Sequence, residues 1–164
     1  MKVGLFIGSE SDYGILQEAL AVFDEFGISY LWEITSAHRS PERTKALIGK
    51  FEKEGVAVFI AVAGKAAHLA GVVASYTLKP VIGVPVGGSE LGGLDALLST
   101  VQMPRGVPVA SMGLGKSGAA NAALFAVHIL GLSDKDLAEK LSGFRKKMVD
   151  SVKNASQKVK RQKA

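Results

Sequence analysis

Three short polar segments hold the groups able to do chemistry. GSESD (8–12) offers Ser9, Ser11 and Asp12. SAHRS (36–40) offers Ser36, His38 and Arg39, and GKAAH (64–68) offers Lys65 and His68. Backbone N–H groups and serine hydroxyls at a helix start suit a phosphate. Asp12 has the lone pairs to accept both hydroxyls of a ribose diol. Arg39 presents a planar fork that matches phosphate. Histidine is the side-chain type that can both take and return a proton near neutral pH, which makes His38 a candidate general acid/base. Taken singly, each group has a commoner role. Ser11 or Asp12 serves as a helix N-cap, Arg39 lies on the surface, His38 caps or faces solvent, and His68 packs among small residues or supports another site residue from behind. Jointly, they describe a site for a phosphorylated ribose ligand with acid–base chemistry.

The elements around these segments explain why they should meet. KVGLFI (2–7) reads as a buried strand, and Asp12 to Phe26 carries apolar residues at helical spacing, closed by Gly27. ISYLWEIT (28–35) has strand composition. Ser40-Pro41-Glu42 predicts a helix start with Ser40 as N-cap, running to about Glu54 and ending at Gly55. Further strands are expected over VAVFIAVA (56–63), PVIGVPV (80–86) and GVPVASM (106–112). Helices are expected over 66–75, 93–101 and 117–130, and a last amphipathic one over 133–153. Its stripe is Leu137, Leu141, Phe144, Met148 and Val152, a candidate to pack on a neighbouring subunit. Alternating apolar strands and helices predict a parallel sheet covered on both sides. In such sheets ligands bind beyond the carboxyl ends of the strands, where all three polar segments lie. His128 falls inside a helix, AALFAVHIL, and reads as structural. No spacing of the three histidines suggests a metal.

Composition bounds the alternatives. The 164 residues suit one domain, expected over 1–155, with a basic polar tail over 156–164. There is no cysteine, hence no thiolate nucleophile or disulfide. No long apolar run predicts a membrane span, and a cytoplasmic location is expected. The net charge of +5 does not describe a nucleic-acid face. Residues 151–164 hold five basic residues and no acid, while the body has fifteen of each. That end is expected to be frayed and solvated, without nucleic-acid or membrane contact.

The chain resembles the N5-carboxyaminoimidazole ribonucleotide mutases, also known as the catalytic subunit of phosphoribosylaminoimidazole carboxylase. The likeness runs from about Val3 to Ala155 and rests on GSESD (8–12), SAHRSPER (36–43), AGKAAHLAG (63–71), PVIGVPV (80–86), GLDALLSTVQMPRGVPVA (93–110) and GKSGAANAALFA (115–126). It implies a flavodoxin-like three-layer α/β fold with a C-terminal helix, a homo-octamer, and no metal or organic cofactor. It implies purine biosynthesis, with a carboxylate leaving N5 as enclosed carbon dioxide and rebinding at C4 of the aminoimidazole. His38 falls on the general acid/base. Ser9, Asp12 and Arg39 fall on the ribose-phosphate contacts, with Ser11 and Ser36 nearby. Ala63, Gly64, Lys65, Ala66, His68 and Leu69 fall on the loop that closes over the base.

Four positions depart from the family pattern. Ser40 stands for threonine, Val62 and Lys65 for glycines, and Ala70 for proline. Three destinations stay open for the Lys65 ammonium: solvent, a subunit neighbour, or the substrate carboxylate. A second class in the superfamily carboxylates aminoimidazole ribonucleotide directly, usually with SAHK and a serine-containing third loop. SAHR and AAHL favour the mutase class. A nucleotide-binding scaffold without chemistry is the non-enzymatic alternative.

Overall fold

The computed structural model describes residues 1–161 and divides the chain into two compact units, Met1–Ala126 and a second beginning at Val127. The first unit is built on a five-stranded, all-parallel sheet in the order β2-β1-β3-β4-β5. The strands are β1 (Lys2–Ile7), β2 (Ser29–Ile34), β3 (Val56–Gly64), β4 (Val81–Val86) and β5 (Ala110–Ser111). The helices are α1 (Tyr13–Phe26), α2 (Pro41–Lys53), α3 (Leu69–Tyr76), α4 (Leu94–Val101), α5 (Gly115–Gly131) and α6 (Lys135–Arg161). This is the flavodoxin-like order, in which the direction of winding reverses between β1 and β3. Right-handed crossovers then place α1 on one face of the sheet and α2, α3 and α4 on the other.

Alternation along the strands builds the two cores. Phe6, Phe59, Ala61, Ala63 and Val81 share one face with Leu47, Ile48 and Phe51 of α2, Leu69, Ala70 and Val73 of α3, and Ala96 of α4. Phe6 stacks between Phe51 and Phe59, with ring centroids 5.1 and 5.7 Å away. Leu5, Ile7, Ile60 and Val62, also fully buried, turn to the other face. Gly27 closes α1 at φ 71°, and the Ile28 N–H donates to the Phe23 carbonyl. Glycine is required in β4 at Gly83, where a Cβ would lie 2.3 Å from Cγ2 of Thr100 and 3.1 Å from Cβ of Ala70. That absence of a side chain lets α4 and α3 sit down on the sheet.

Five expectations shift. Expected strand 106–112 contracts to Ala110–Ser111, because Gly106 sits at φ 99° and Pro108 lacks an N–H for the ladder. β2 is the sheet edge, so its Trp32 and Ile34 are exposed rather than buried on both faces. Helix α3 begins at Leu69 rather than 66, leaving residues 65–68 as a turn. Ser40 occupies the N-cap position of α2 but makes no side-chain cap bond. Helix α6 continues through the segment expected to fray, as far as Arg161. Alanine, glutamine, lysine and arginine are good helix formers, and Lys158, Lys160 and Arg161 sit favourably at the negative end of the helix dipole. The remainder of the expected tail, 162–164, lies outside the described residues.

Gly83→Ala is expected to lower unfolding free energy by about 1–3 kcal/mol, the range for forcing a methyl into a packed core. Denaturant unfolding of the purified variant measures it.

Candidate active site

The winding reversal leaves a crevice at the carboxyl ends of β1 and β3, and a cavity of about 500 Å³ lies there. Its lining takes Gly8, Ser9, Ser11 and Asp12 from the β1 end, and Ser36, His38 and Arg39 from the β2 end. The β3 end supplies Ala63, Gly64, Lys65, Ala66, His68 and Leu69. Every site residue expected from sequence therefore borders one cavity. The β4 end adds Val86, Gly87, Gly88 and Ser89, which sequence reasoning did not single out. The rule that picked the other three segments, to read the polar residues just beyond each strand, would also have found this one. His128 is exposed on α5.

At the β1 end a single 3₁₀ turn, Glu10–Asp12, precedes α1. Ser9 caps it: its Oγ accepts from the Ser11 N–H at 3.4 Å and from the Ser11 hydroxyl at 3.0 Å. Asp12 is buried at 6% exposure and makes no cap bond. Burial raises its carboxyl above the ordinary 3.8, and hydrogen bonds from Ser9 and Ser11 offset part of that rise.

At the β2 end, hydroxyls replace the expected cap. The Ser40 Oγ accepts from the Ser36 N–H at 3.0 Å and donates to the Ser36 carbonyl at 3.2 Å. Buried Thr35 pairs its Oγ1 with Thr44 at 2.8 Å, and Thr44 donates to the Ser40 carbonyl at 3.2 Å. The Ser36 Oγ accepts from the Arg39 N–H at 3.2 Å. Residues 35–40 are thereby tied to the first turn of α2, and His38 and Arg39 project from a braced turn. The Arg39 Nη2 donates to the Gly8 carbonyl at 3.2 Å, which joins the β2 end to the β1 end.

The β2 and β3 ends meet through two imidazoles. Nε2 of His38 lies 2.8 Å from Nδ1 of His68, with the rings 4.9 Å apart and 70° from coplanar. One facing nitrogen must carry the hydrogen and the other the lone pair, so the bond links the tautomers of the two rings. His68 is exposed rather than packed among small residues, and it supports another site residue, His38, the other role considered for it; the turn ahead of α3 turns it toward the β2 end. Among the described residues, no group of three or more His, Cys, Asp or Glu side chains is placed to hold a metal ion.

The raised Asp12 carboxyl has a signed consequence. Folding favours its neutral form, so the associated stability is fully present below 3.8 and is lost as pH rises through the raised folded-state value. Asp12→Asn stays neutral throughout. The variant should therefore gain stability relative to wild type at about pH 7 and lose that advantage near about pH 3.5, as read from denaturant midpoints at the two values.

The AIR carboxylase family model matches residues 2–151. Among similar proteins, the N5-carboxyaminoimidazole ribonucleotide mutase of Saccharolobus solfataricus is 49% identical over 151 residues, covering 92% of this chain and 94% of that one. The Escherichia coli K12 protein of the same name is 45% identical, covering 92% and 89%. The crystal structure of Treponema denticola PurE superimposes with a TM-score of 0.87 at 27% identity, covering 95% of this chain and 96% of that one. With a matching family model over nearly its whole length and relatives this similar, the chain belongs to the AIR carboxylase family.

Proposed function

We propose that this protein is a purine-biosynthesis isomerase that interconverts N5-carboxyaminoimidazole ribonucleotide and 4-carboxy-5-aminoimidazole ribonucleotide. The observation that carries this reading is the convergence of GSESD, SAHR and the AAH turn on one cavity, with His38 and His68 bonded inside it. The mutase names of relatives at 45–49% identity support it over direct carboxylation of aminoimidazole ribonucleotide.

In this reading Ser9, Ser11 and Arg39 hold the phosphate, Ser36 lies beside them, and Asp12 takes the ribose diol. The N5–carboxylate bond breaks and carbon dioxide forms, the bonding pair staying on nitrogen, which takes a proton from His38. C4 attacks the carbon dioxide, and its proton is lost to His38. One proton gained at N5 and one lost at C4 leave the imidazole as it began, which suits a single acid/base. Carbon dioxide is neutral and diffuses fast, so the turn from Ala63 to Leu69 must hold it beside C4. His68 acts as a positioning residue, because its ring fixes the orientation of His38 through their shared hydrogen bond.

The reading extends to a cytoplasmic homo-octamer. A phosphorylated intermediate is made and consumed where it cannot leak across a membrane. No helix among the described residues is long and apolar enough to cross one. Exposed apolar side chains such as Leu78, Leu91, Leu132 and Val152 support burial against further copies.

Purified protein should convert N5-carboxyaminoimidazole ribonucleotide without bicarbonate. Turnover confined to aminoimidazole ribonucleotide plus bicarbonate would identify the carboxylase instead. His38→Asn should lower kcat by about 10²–10⁴-fold while leaving substrate binding within a few-fold. Unchanged turnover in that variant would remove His38 from the chemistry, and absence of turnover in wild type would leave the scaffold reading.

A further inference from the structure

Lys65 is the one non-glycine residue among those described with a positive φ, at 54°. The other positive-φ positions are all glycines. An L-residue held there is strained, and glycine is not. The strain is imposed from both sides of the turn. Gly64 lies against β4, where a Cβ would come within 3.4 Å of the Val86 carbonyl. Ala67 and Leu69 are buried, and the His68 N–H donates to the Ala66 carbonyl at 2.8 Å. Backbone energetics alone would place glycine at 65, so the lysine is explained by its side chain.

That side chain is exposed and borders the cavity. Ion pairs join Arg43 to Glu33, Lys50 to Glu54 and Lys116 to Glu18, and Lys65 takes part in none of these. The cavity has one other permanent cation, Arg39, tied to the Gly8 carbonyl at the β1 end. Lys65 stands instead on the β3 turn, three residues before the histidine that bonds His38. The two cations therefore stand at different strand ends of the cavity.

We propose that the Lys65 ammonium binds the carboxylate of the imidazole ligand and makes the site selective for carboxylated over uncarboxylated ribonucleotide. The proposal rests on the mutase reading and adds a specificity-determining residue to it. Both the N5 carboxylate and the C4 carboxylate are anions, whereas the carbon dioxide between them is neutral. Lys65 thus stabilises substrate and product but not the intermediate. Such binding lowers KM and leaves kcat unchanged or reduced.

The test compares wild type, Lys65→Gln, which keeps the strain, and Lys65→Gly, which removes it. Titration calorimetry gives affinities for 4-carboxy-5-aminoimidazole ribonucleotide and for 5-aminoimidazole ribonucleotide. Both variants should lose roughly tenfold or more for the carboxylated ligand, as expected for a charge-assisted hydrogen bond, and KM should rise with kcat maintained or higher. Affinity for the uncarboxylated ligand should stay within about twofold. Lys65→Gly should also raise Tm by roughly 1–4 °C at matched protein concentration. Equal losses for both ligands would assign the ammonium to the phosphate and overturn the proposal, as would unchanged affinities or a lower Tm in Lys65→Gly. Wild-type protein that binds neither ribonucleotide would overturn the mutase reading, and the proposal with it. Wild-type turnover with indifferent variants would overturn the proposal alone.

Discussion

The reversal of winding between β1 and β3 is the constraint on which the rest of the site depends. With strands ordered β2-β1-β3-β4-β5, α1 leaves the sheet toward one face and α2, α3 and α4 lie over the other. The segments beyond β1 and β3 must diverge, and a crevice is left that no crossover fills. Small residues let the layers close around it. Gly83 admits α4 and α3 to the sheet, and Gly64 brings the end of β3 against the end of β4. A bulkier residue at 64 would press on Val86 and displace a wall of the cavity.

Within that frame, precision comes from short-range polar bonds. The hydroxyls of Thr35, Ser36, Ser40 and Thr44 close on one another and on the backbone of the same turn. No buried side-chain nitrogen or oxygen among the described residues lacks a partner. A fully satisfied network of this kind holds one geometry, because each alternative leaves a buried polar atom unpaired. His38 and Arg39 inherit their positions from it. Asp12 is held differently, by burial beside a capped 3₁₀ turn, and its carboxyl carries the electrostatic consequence.

Much of this was legible in the sequence. Periodicity and punctuation located β1 at Lys2–Ile7, the end of α1 at Gly27, and α2 from Pro41. Those features are local: apolar spacing, a left-handed glycine, a proline suited to a first turn. The three polar segments were legible because parallel sheets gather ligands at one edge. What escaped was decided by tertiary partners. Ser40 looks like a cap until Thr35 and Ser36, at the end of the preceding strand, compete for its hydroxyl. The late start of α3 comes from the turn that carries Lys65, and no propensity of Ala66 or Ala67 announces it. The shortness of β5 is the exception: Gly106 and Pro108 are local signals, and apolar composition outweighed them in the sequence reading.

The bonds that cross the cavity join residues far apart in the chain. His38 and His68 are separated by 30 positions, and Arg39 and Gly8 by 31. Neither bond can form until the strand–helix crossover between its partners has closed. A nascent or partly unfolded chain therefore exposes its helices and strand edges before it has any paired imidazoles. A cavity spanned by both bonds is confined to molecules whose topology is complete, so an unfinished chain presents no half-built version of it.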